Sequence, residues 1–243
     1  MSRRTAGVTL LELLIAVSLF ALLSAGILTA FRVGLNAMEK TNGRLMDNRR
    51  MAGAQRLIEQ QIAGFMPVAA ECMATGDGPR ASIPFFQGEP QSMRFVTSYS
   101  LGDAGRGYPQ ILEYQVIPAE PGSGVRLIVN EHLYSGPRSA GMFCLGTAFD
   151  EALGMPTRRF PPVVAGQGSF VLADRLAFCR FFYREVRPRP EGERWVARWV
   201  APVWPSAIRI EMAPIELDVS RIQPLTVTAP IRVMRDPRIG YAD

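Results

Sequence analysis

The sequence predicts an α+β protein, with one long N-terminal helix that is apolar in its first half and packs on a mainly antiparallel β-sheet head. Two observations support this prediction. Apolar residues recur every three to four positions as far as Pro67, and beyond it they alternate with polar residues in short runs. The chain has 243 residues, of which 48% are apolar, and this suits one folded domain with an appendage.

The first helix begins in a stretch long enough to cross a membrane. The 19 residues from Leu13 to Phe31 carry no charge, and a helix of that length spans roughly 28 Å, close to the thickness of the hydrocarbon core. Arg3 and Arg4 precede it, which keeps the N-terminus in the cytoplasm. We therefore expect residues 8–31 to form a hydrophobic transmembrane helix, with everything after Phe31 on the other side.

A cleaved signal peptide and an uncleaved signal anchor are two simpler interpretations of a basic start before an apolar run. A signal peptide has an apolar core of about 7–15 residues and a small-residue cleavage site, and Ser24-Ala25-Gly26 is the suitable late site here. Neither interpretation explains Glu12, which lies one turn inside the apolar segment. A carboxylate at the bilayer centre costs about 2.5–3.5 kcal/mol on insertion scales, and such residues are usually functional.

The segment Gly7-Val8-Thr9-Leu10-Leu11-Glu12 resembles the processing signature of type IV pilins and pseudopilins. In that signature a short basic leader ends in glycine, and the mature chain carries a glutamate at its fifth position. The resemblance implies a leader at residues 1–7, cleavage between Gly7 and Val8 by a prepilin peptidase, N-methylation of Val8 and a pilin-like fold. Val8 departs from the family, in which the first mature residue is usually Phe or Met.

The same resemblance gives Glu12 a role in subunit assembly. Processing creates a cationic amine at Val8, about one turn from the acid. In filaments of this family the glutamate is thought to pair with the terminal amine of a neighbouring subunit, which offsets the burial of both charges. The hydrophobic helix is retained after cleavage and is expected to form the filament core.

The helical pattern continues beyond the membrane segment. Its apolar positions are Phe31, Leu35, Met38, Leu45, Leu57, Ile58, Ile62 and Phe65. Charged residues fill the other faces, as in an amphipathic helix. We expect an amphipathic continuation over residues 32–66 that packs on the head and is ended by Pro67.

Residues 67–243 are predicted to form the periplasmic α+β head. The alternating runs that indicate strands are 93–99, 112–116, 125–129, 176–186, 194–200, 207–212 and 225–233. A turn-rich link from Pro118 to Gly124 suits a hairpin. We expect a long loop from Ser135 to Gly168, with a short helix near Ala148–Leu153.

The second half of the head carries a further pattern. Phe181-Phe182-Tyr183 is followed by Trp195 and Trp199, and then by Trp204-Pro205-Ser206-Ala207-Ile208-Arg209-Ile210. This order is similar to that of the J-type minor pseudopilins of bacterial type II secretion systems, in which an aromatic strand leads to a tryptophan-bearing strand and then to a Pro-x-Ala-aliphatic strand. Glu12 argues against the K type, which is expected to lack a glutamate at that position.

The J-type resemblance implies a non-catalytic subunit of the pseudopilus tip that helps to initiate filament assembly. Its implied partners are the I-type and K-type minor pseudopilins, the major pseudopilin, the prepilin peptidase and the inner-membrane assembly platform. The implied location is the bacterial inner membrane, with a single pass, a cytoplasmic N-terminus and a periplasmic head. A minor pilin of a type IV pilus and a single-pass anchored periplasmic protein with an unrelated head remain open.

The composition argues against an enzyme and against nucleic-acid binding. His132 is the single histidine, which removes most histidine-based chemistry and any multi-histidine metal site. The net charge is +5, and without Arg3 and Arg4 the balance is 25 basic against 22 acidic residues, too small an excess for a nucleic-acid partner.

No cofactor is expected, and no metal. The acidic residues Asp103, Glu113, Asp150 and Glu151 are scattered and lack the spacing of a calcium loop. His132 lies beside Glu131, and we expect a local hydrogen-bonding pair there.

Two sets of side chains each have two interpretations. Trp195 and Trp199 lie four residues apart and so on one side of a strand, where they either cover the sheet, which is favoured, or face a partner. The arginines form either a solvated sheet face, also favoured, or a surface for an anionic partner. They are Arg180, Arg184, Arg187, Arg189, Arg194 and Arg198.

Three cysteines allow one disulfide in an oxidising periplasm, with three single pairings that the sequence leaves open. Cys179 lies in an expected strand, which favours a buried thiol there. Cys72 with Cys144 is then the favoured pair.

Overall fold

The computed structural model describes residues 9–73, 80–103, 105–188, 190, 192–215 and 224–233. The chain divides into two compact units, Met1–Arg49 and Arg50–Asp243. The predicted α+β class is confirmed, because a long apolar helix is followed by a mainly antiparallel sheet head.

The long helix, α1, spans Leu10–Ala63. Its part Leu10–Gly43 is long and apolar enough to cross a membrane. In the second unit, Ala54, Ile58 and Ile62 are buried against the sheet at helical spacing. Side chains of the first unit, such as Met38, are exposed.

The helix ends at Ala63, three residues before the predicted end. Gly64 lies so close to the sheet that a Cβ there would be 2.6 Å from Thr97 Oγ1. The Thr97 hydroxyl donates a hydrogen bond to the carbonyl of Gln61 at 2.7 Å. Phe65 and the next residue then pair with the sheet as strand β1. The helical spacing of Phe65 was misleading, because this side chain reaches the core from a strand.

The described strands all pair antiparallel. Their bounds are β1 Phe65–Met66, β2 Ala69–Met73, β3 Arg80–Pro84, β4 Gln87–Gly88, β5 Ser92–Ser100, β6 Gly105–Pro118, β7 Val125–Leu133, β8 Thr147–Asp150, β9 Met155–Arg158, β10 Phe170–Val186, β11 Glu193–Val196, β12 Ala207–Pro214 and β13 Leu225–Pro230. A short helix, α2, spans Pro137–Gly141.

In the described residues, nine strands form one sheet in the order β1-β5-β6-β7-β10-β12-β13, with β4 beside β5 and β11 beside β10. Two hairpin-like pairs, β2–β3 and β8–β9, lie outside it. The predicted hairpin between β6 and β7 is present, with Glu113 opposite Asn130.

The segment 135–168 differs from the prediction. It contains α2 and the β8–β9 pair. The prediction of a short helix near Ala148–Leu153 is wrong, because β8 and the turn after it occupy this segment. Phe149 and Thr147 are exposed while their neighbours are half-buried, which is the alternation of a strand. The Asp150 carboxylate accepts hydrogen bonds from the amides of residues 152 and 153 and closes the turn to β9.

The ends of the predicted strands differ from the observed ones, most of all for the strand expected at 112–116, which spans Gly105–Pro118. The strand expected at 176–186 begins at Phe170, and the one expected at 194–200 ends at Val196, with Trp199 making an isolated bridge to Gly88. The last strand ends at Pro230 rather than at residue 233. Proline has no amide hydrogen with which to continue a ladder.

Two apolar clusters lie on opposite faces of the central strands. On one face, Phe95 and Leu112 join the buried residues of α1 in the main cluster. On the other face, Val96 and Ile111 pack under β2, α2 and their connections. A disulfide between Cys72 and Cys144 lies in this second cluster. Cys179 is a buried free thiol, and burial raises its pKa to about 12.

Candidate functional site

The N-terminal candidate site is described from Thr9 onwards, and Gly7 and Val8 lie outside the described residues. Thr9 caps α1: its Oγ1 accepts a hydrogen bond from the amide of Glu12 at 3.3 Å, and its carbonyl accepts one from Leu13 at 3.2 Å. This is half of a Thr-x-x-Glu capping box. A carboxylate in the first turn also suits the positive end of the helix dipole.

Glu12 is surrounded along the chain by exposed apolar side chains. Leu10, Leu11, Leu13 and Leu14 are each at least 60% exposed, and the same holds for most large side chains as far as Leu28. A helix that is apolar on all sides is stable when lipid or other helices surround it. Glu12 is therefore positioned to bring a negative charge into such surroundings, where a cationic partner would stabilise it.

A buried ion pair, which the sequence did not indicate, lies on the second face of the sheet. Arg94 on β5 is fully buried, and its Nε donates to Glu113 Oε1 on β6 at 2.6 Å. The guanidinium also donates to Gln87 and to the carbonyl of Pro161. The ring centres of Phe143 and Phe160 lie 5.8 Å and 6.0 Å from the central carbon of the guanidinium. Alternation in β5 made Arg94 look solvent-facing, but the segment after α2 covers this face.

His132 does not pair with Glu131 as expected. Its Nε2 lies 2.8 Å from Glu113 Oε2 on the neighbouring strand. Glu131 accepts hydrogen bonds from the Ser100 hydroxyl and the Leu101 amide. Successive residues of a strand point to opposite faces, so adjacent side chains cannot meet.

The environment of Glu113 favours its charged form. Burial alone would raise its pKa, but hydrogen bonds from His132, Arg94 and Asn130 outweigh burial and hold the pKa below its usual value. Asn130 also donates to the carbonyl of Val164 at 3.0 Å. The network thus fastens the irregular segment 159–169 to the sheet, which indicates a structural role.

The two candidate tryptophans do not share a face. Trp195 lies over Arg209 at 4.6 Å, and Phe182 lies on the same guanidinium at 5.0 Å, on the side away from the main cluster. Trp199 packs against the main cluster and meets Phe86 edge-on at 6.4 Å. The prediction that the two tryptophans lie on one side of a strand is wrong, because β11 ends at Val196, before Trp199.

The arginine run is largely neutralised by neighbouring carboxylates. Arg184 meets Glu193 at 3.3 Å. Glu185 is shared by Arg187 and Arg194, and Arg198 contacts Glu89 and Asp150. Arg180 stacks on Phe178, and Arg189 lies outside the described residues. These pairs favour the interpretation as a solvated sheet face.

Within the described part of the chain, no three or more His, Cys, Asp or Glu residues cluster in a way that could hold a metal ion. Asp103, Asp150 and Glu151 accordingly form no joint site there.

Residues 2–28 match the family model of the prokaryotic N-terminal methylation motif. This match supports a place in the type IV pilin and pseudopilin superfamily, whose members are generally structural. Together with the apolar helix it is consistent with a single-pass membrane anchor in front of a head domain. No curated protein matches the chain.

Proposed function

We propose that the chain is a J-type minor pseudopilin of a type II protein secretion system, a non-catalytic subunit of the pseudopilus tip. The observation that carries the proposal is the methylation motif at residues 2–28 in front of one apolar helix and a sheet head. A prepilin peptidase would remove residues 1–7 on the cytoplasmic side of the inner membrane and leave a methylated Val8.

The choice of this member is supported by the aromatic strands of the head. Phe181 and Tyr183 on β10, and Ile208 and Ile210 on β12, are buried in the main cluster, and Tyr183 lies opposite Ile208. Trp204 donates from Nε1 to the carbonyl of Phe85 at 3.3 Å. The residues on which the resemblance rests thus lie on the neighbouring strands β10, β11 and β12 or beside them, with Trp195 on the side away from the main cluster.

Assembly in this proposal depends on charge pairing and helix packing. The apolar helix enters the filament, where neighbouring helices take the place of lipid. The Glu12 carboxylate then pairs with the terminal amine of a neighbouring subunit, which offsets the desolvation of both groups. The I-type and K-type minor pseudopilins are the proposed neighbours at the tip, with the major pseudopilin below them.

Co-isolation tests this function. The full chain, expressed with a prepilin peptidase and the I-type and K-type subunits, should purify with both after detergent extraction. The Glu12→Leu variant should be processed but recovered with fewer partners, and Glu120→Gln, an exposed residue between β6 and β7, should behave as the unaltered chain. Recovery of neither subunit, together with recovery of type IV pilus minor pilins in a parallel co-expression, would overturn the secretion role and retain the filament role.

A further inference from the structure

A seam of regularly spaced side chains continues α1 beyond its uncharged stretch. Phe31, Leu35, Met38, Asn42 and Leu45, called the heptad seam below, follow one another at alternating spacings of four and three residues. This spacing keeps one line of side chains facing a partner helix. All five are exposed, and the four apolar ones by between 49% for Leu35 and 65% for Phe31.

Lipid does not account for the exposure of the seam. The hydrocarbon core accommodates about 20 helical residues, which the uncharged stretch Leu13–Phe31 already supplies. Arg32, Glu39 and Lys40 follow within the next three turns. The seam beyond Phe31 therefore lies among headgroups or in water, where apolar side chains gain free energy by packing on another protein surface.

We propose that the heptad seam packs against the same seam of a second copy of the chain, parallel and in register. Asn42 selects this partner, because a polar residue at one core position of a two-stranded coiled coil favours a partner with a polar residue at the same level. A second copy supplies it. Two copies that enter the membrane through the same apolar segment are held parallel and level by the bilayer.

Charge is compatible with this pairing. Arg32 and Glu39 flank the seam on one side, and Gly34 and Thr41 flank it on the other. A parallel, in-register pair places Glu39 of one helix opposite Gly34 of the other. No like charges meet across the seam between these flanking positions.

The area that the seam can bury is small, so we expect the dimer to be stable only in a membrane. With roughly 100 Å² buried for each of the four apolar side chains, two copies bury on the order of 800 Å², below the ~1,200 Å² of a stable complex. Confinement in the bilayer supplies the missing effective concentration. We therefore expect the dimer in membranes and its dissociation after dilution into detergent.

Cysteine cross-linking in membranes tests the proposal. Cys72 and Cys144 are joined and Cys179 is buried, so a new thiol on α1 is the reactive one. The full chain is expressed alone in a host without filament genes, with one substitution at a time, and oxidised in isolated membranes. Leu35→Cys, Met38→Cys, Asn42→Cys and Leu45→Cys should give several-fold more disulfide-linked dimer than the controls Asn36→Cys and Lys40→Cys. Equal yields at seam and control positions would overturn the proposal.

A second variant tests the seam without moving the thiol. Adding Leu35→Glu to Met38→Cys brings two carboxylates face to face and should lower the dimer yield several-fold. An unchanged yield would contradict the proposal. Conversely, if the I-type or K-type subunit is co-expressed and replaces the homodimer completely at Met38→Cys, the seam belongs to another subunit and the second-copy proposal fails.

The inference goes beyond the proposed filament role, because it requires only the membrane anchor. The cross-linking pattern should therefore be the same with and without a prepilin peptidase. A chain that is processed at Gly7 but gives no seam pattern loses this inference and keeps the proposed function. A chain that the peptidase does not process but that gives the seam pattern keeps this inference and loses the proposed function.

Discussion

At the scale of single residues, Arg94 and Glu113 form an ion pair that is buried inside the head. Arg94 has no exposed side-chain surface and Glu113 has 6%. Removing one member of such a pair leaves the other charge without compensation in a medium of low polarity. The same carboxylate also contacts His132 and Asn130 on β7, so it links β5, β6 and β7 on this face.

We predict that Glu113→Gln lowers the free energy of unfolding by about 3–5 kcal/mol. The change keeps the size of the side chain and removes the charge that compensates Arg94. Urea unfolding of the purified protein measures the loss. The matched control is Glu193→Gln, an exposed carboxylate paired with Arg184, and it should cost less than about 1 kcal/mol. Equal losses of unfolding free energy for the two variants would show that the buried pair contributes no more to stability than the exposed one.

The acid sensitivity of the head follows from the lowered pKa of Glu113. A carboxylate whose pKa is lower in the folded state than in the unfolded state contributes stability above the unfolded value, near pH 4.3, and this stability is lost as the pH falls through the folded value. The stability gap between the unaltered protein and Glu113→Gln should therefore be widest near neutral pH and narrow below about pH 4. Unfolding midpoints measured from pH 7 to pH 3 test this, and a gap that widened on acidification would contradict it.

At the scale of elements, the second face of the sheet is covered by pieces that are far apart in sequence. The disulfide joins Cys72 on β2 to Cys144 after α2, 72 residues later. Gly141 at the end of α2 approaches β2 so closely that a Cβ there would lie 2.3 Å from the carbonyl oxygen of Glu71. The cross-link and this contact hold the same two elements together.

The double variant Cys72→Ser with Cys144→Ser should lose about 2–4 kcal/mol of stability, because the unfolded chain is no longer cross-linked. Thiol labelling gives an independent check. The unaltered protein should label at one cysteine when unfolded without reductant and at three when reductant is added. Labelling of Cys72 in the unfolded, unreduced protein would contradict the pairing.

Sequence periodicity predicted the elements in which the alternation of apolar and polar residues, or their helical spacing, continues over several residues. The helical spacing of Ile58 and Ile62, and the alternation through Leu112 and Tyr114, gave correct elements because each residue faces one cluster. Short strands such as β4 were missed, because two residues are too few to show an alternation, although Gln87 and Gly88 pair with Arg94 and Met93.

The buried network was missed for a related reason. Arg94 and Glu113 each follow the polar alternation of a solvent-facing position, and only the covering segment around Phe160 makes that face an interior. The strands do place the two charges directly opposite each other. The pair could have been predicted from that register, because it places opposite charges across from each other between apolar neighbours.

At the scale of the whole molecule, the proposed filament role depends on how the N-terminus is processed. The methylation motif, the capped start of α1 at Thr9 and the exposed apolar helix all concern the same 30 or so residues. A filament subunit keeps this helix after losing its leader, whereas an exported protein loses it. The partners and the role at a pseudopilus tip follow only if the helix is kept.

The most direct test is the intact mass and N-terminal sequence of the membrane-bound chain expressed beside a prepilin peptidase. A filament subunit should begin at Val8, carry one added methyl group on its amine and still contain Glu12. A chain that retains Met1 under these conditions, or one cut near Gly26, would contradict the filament role and indicate an ordinary anchored or exported protein.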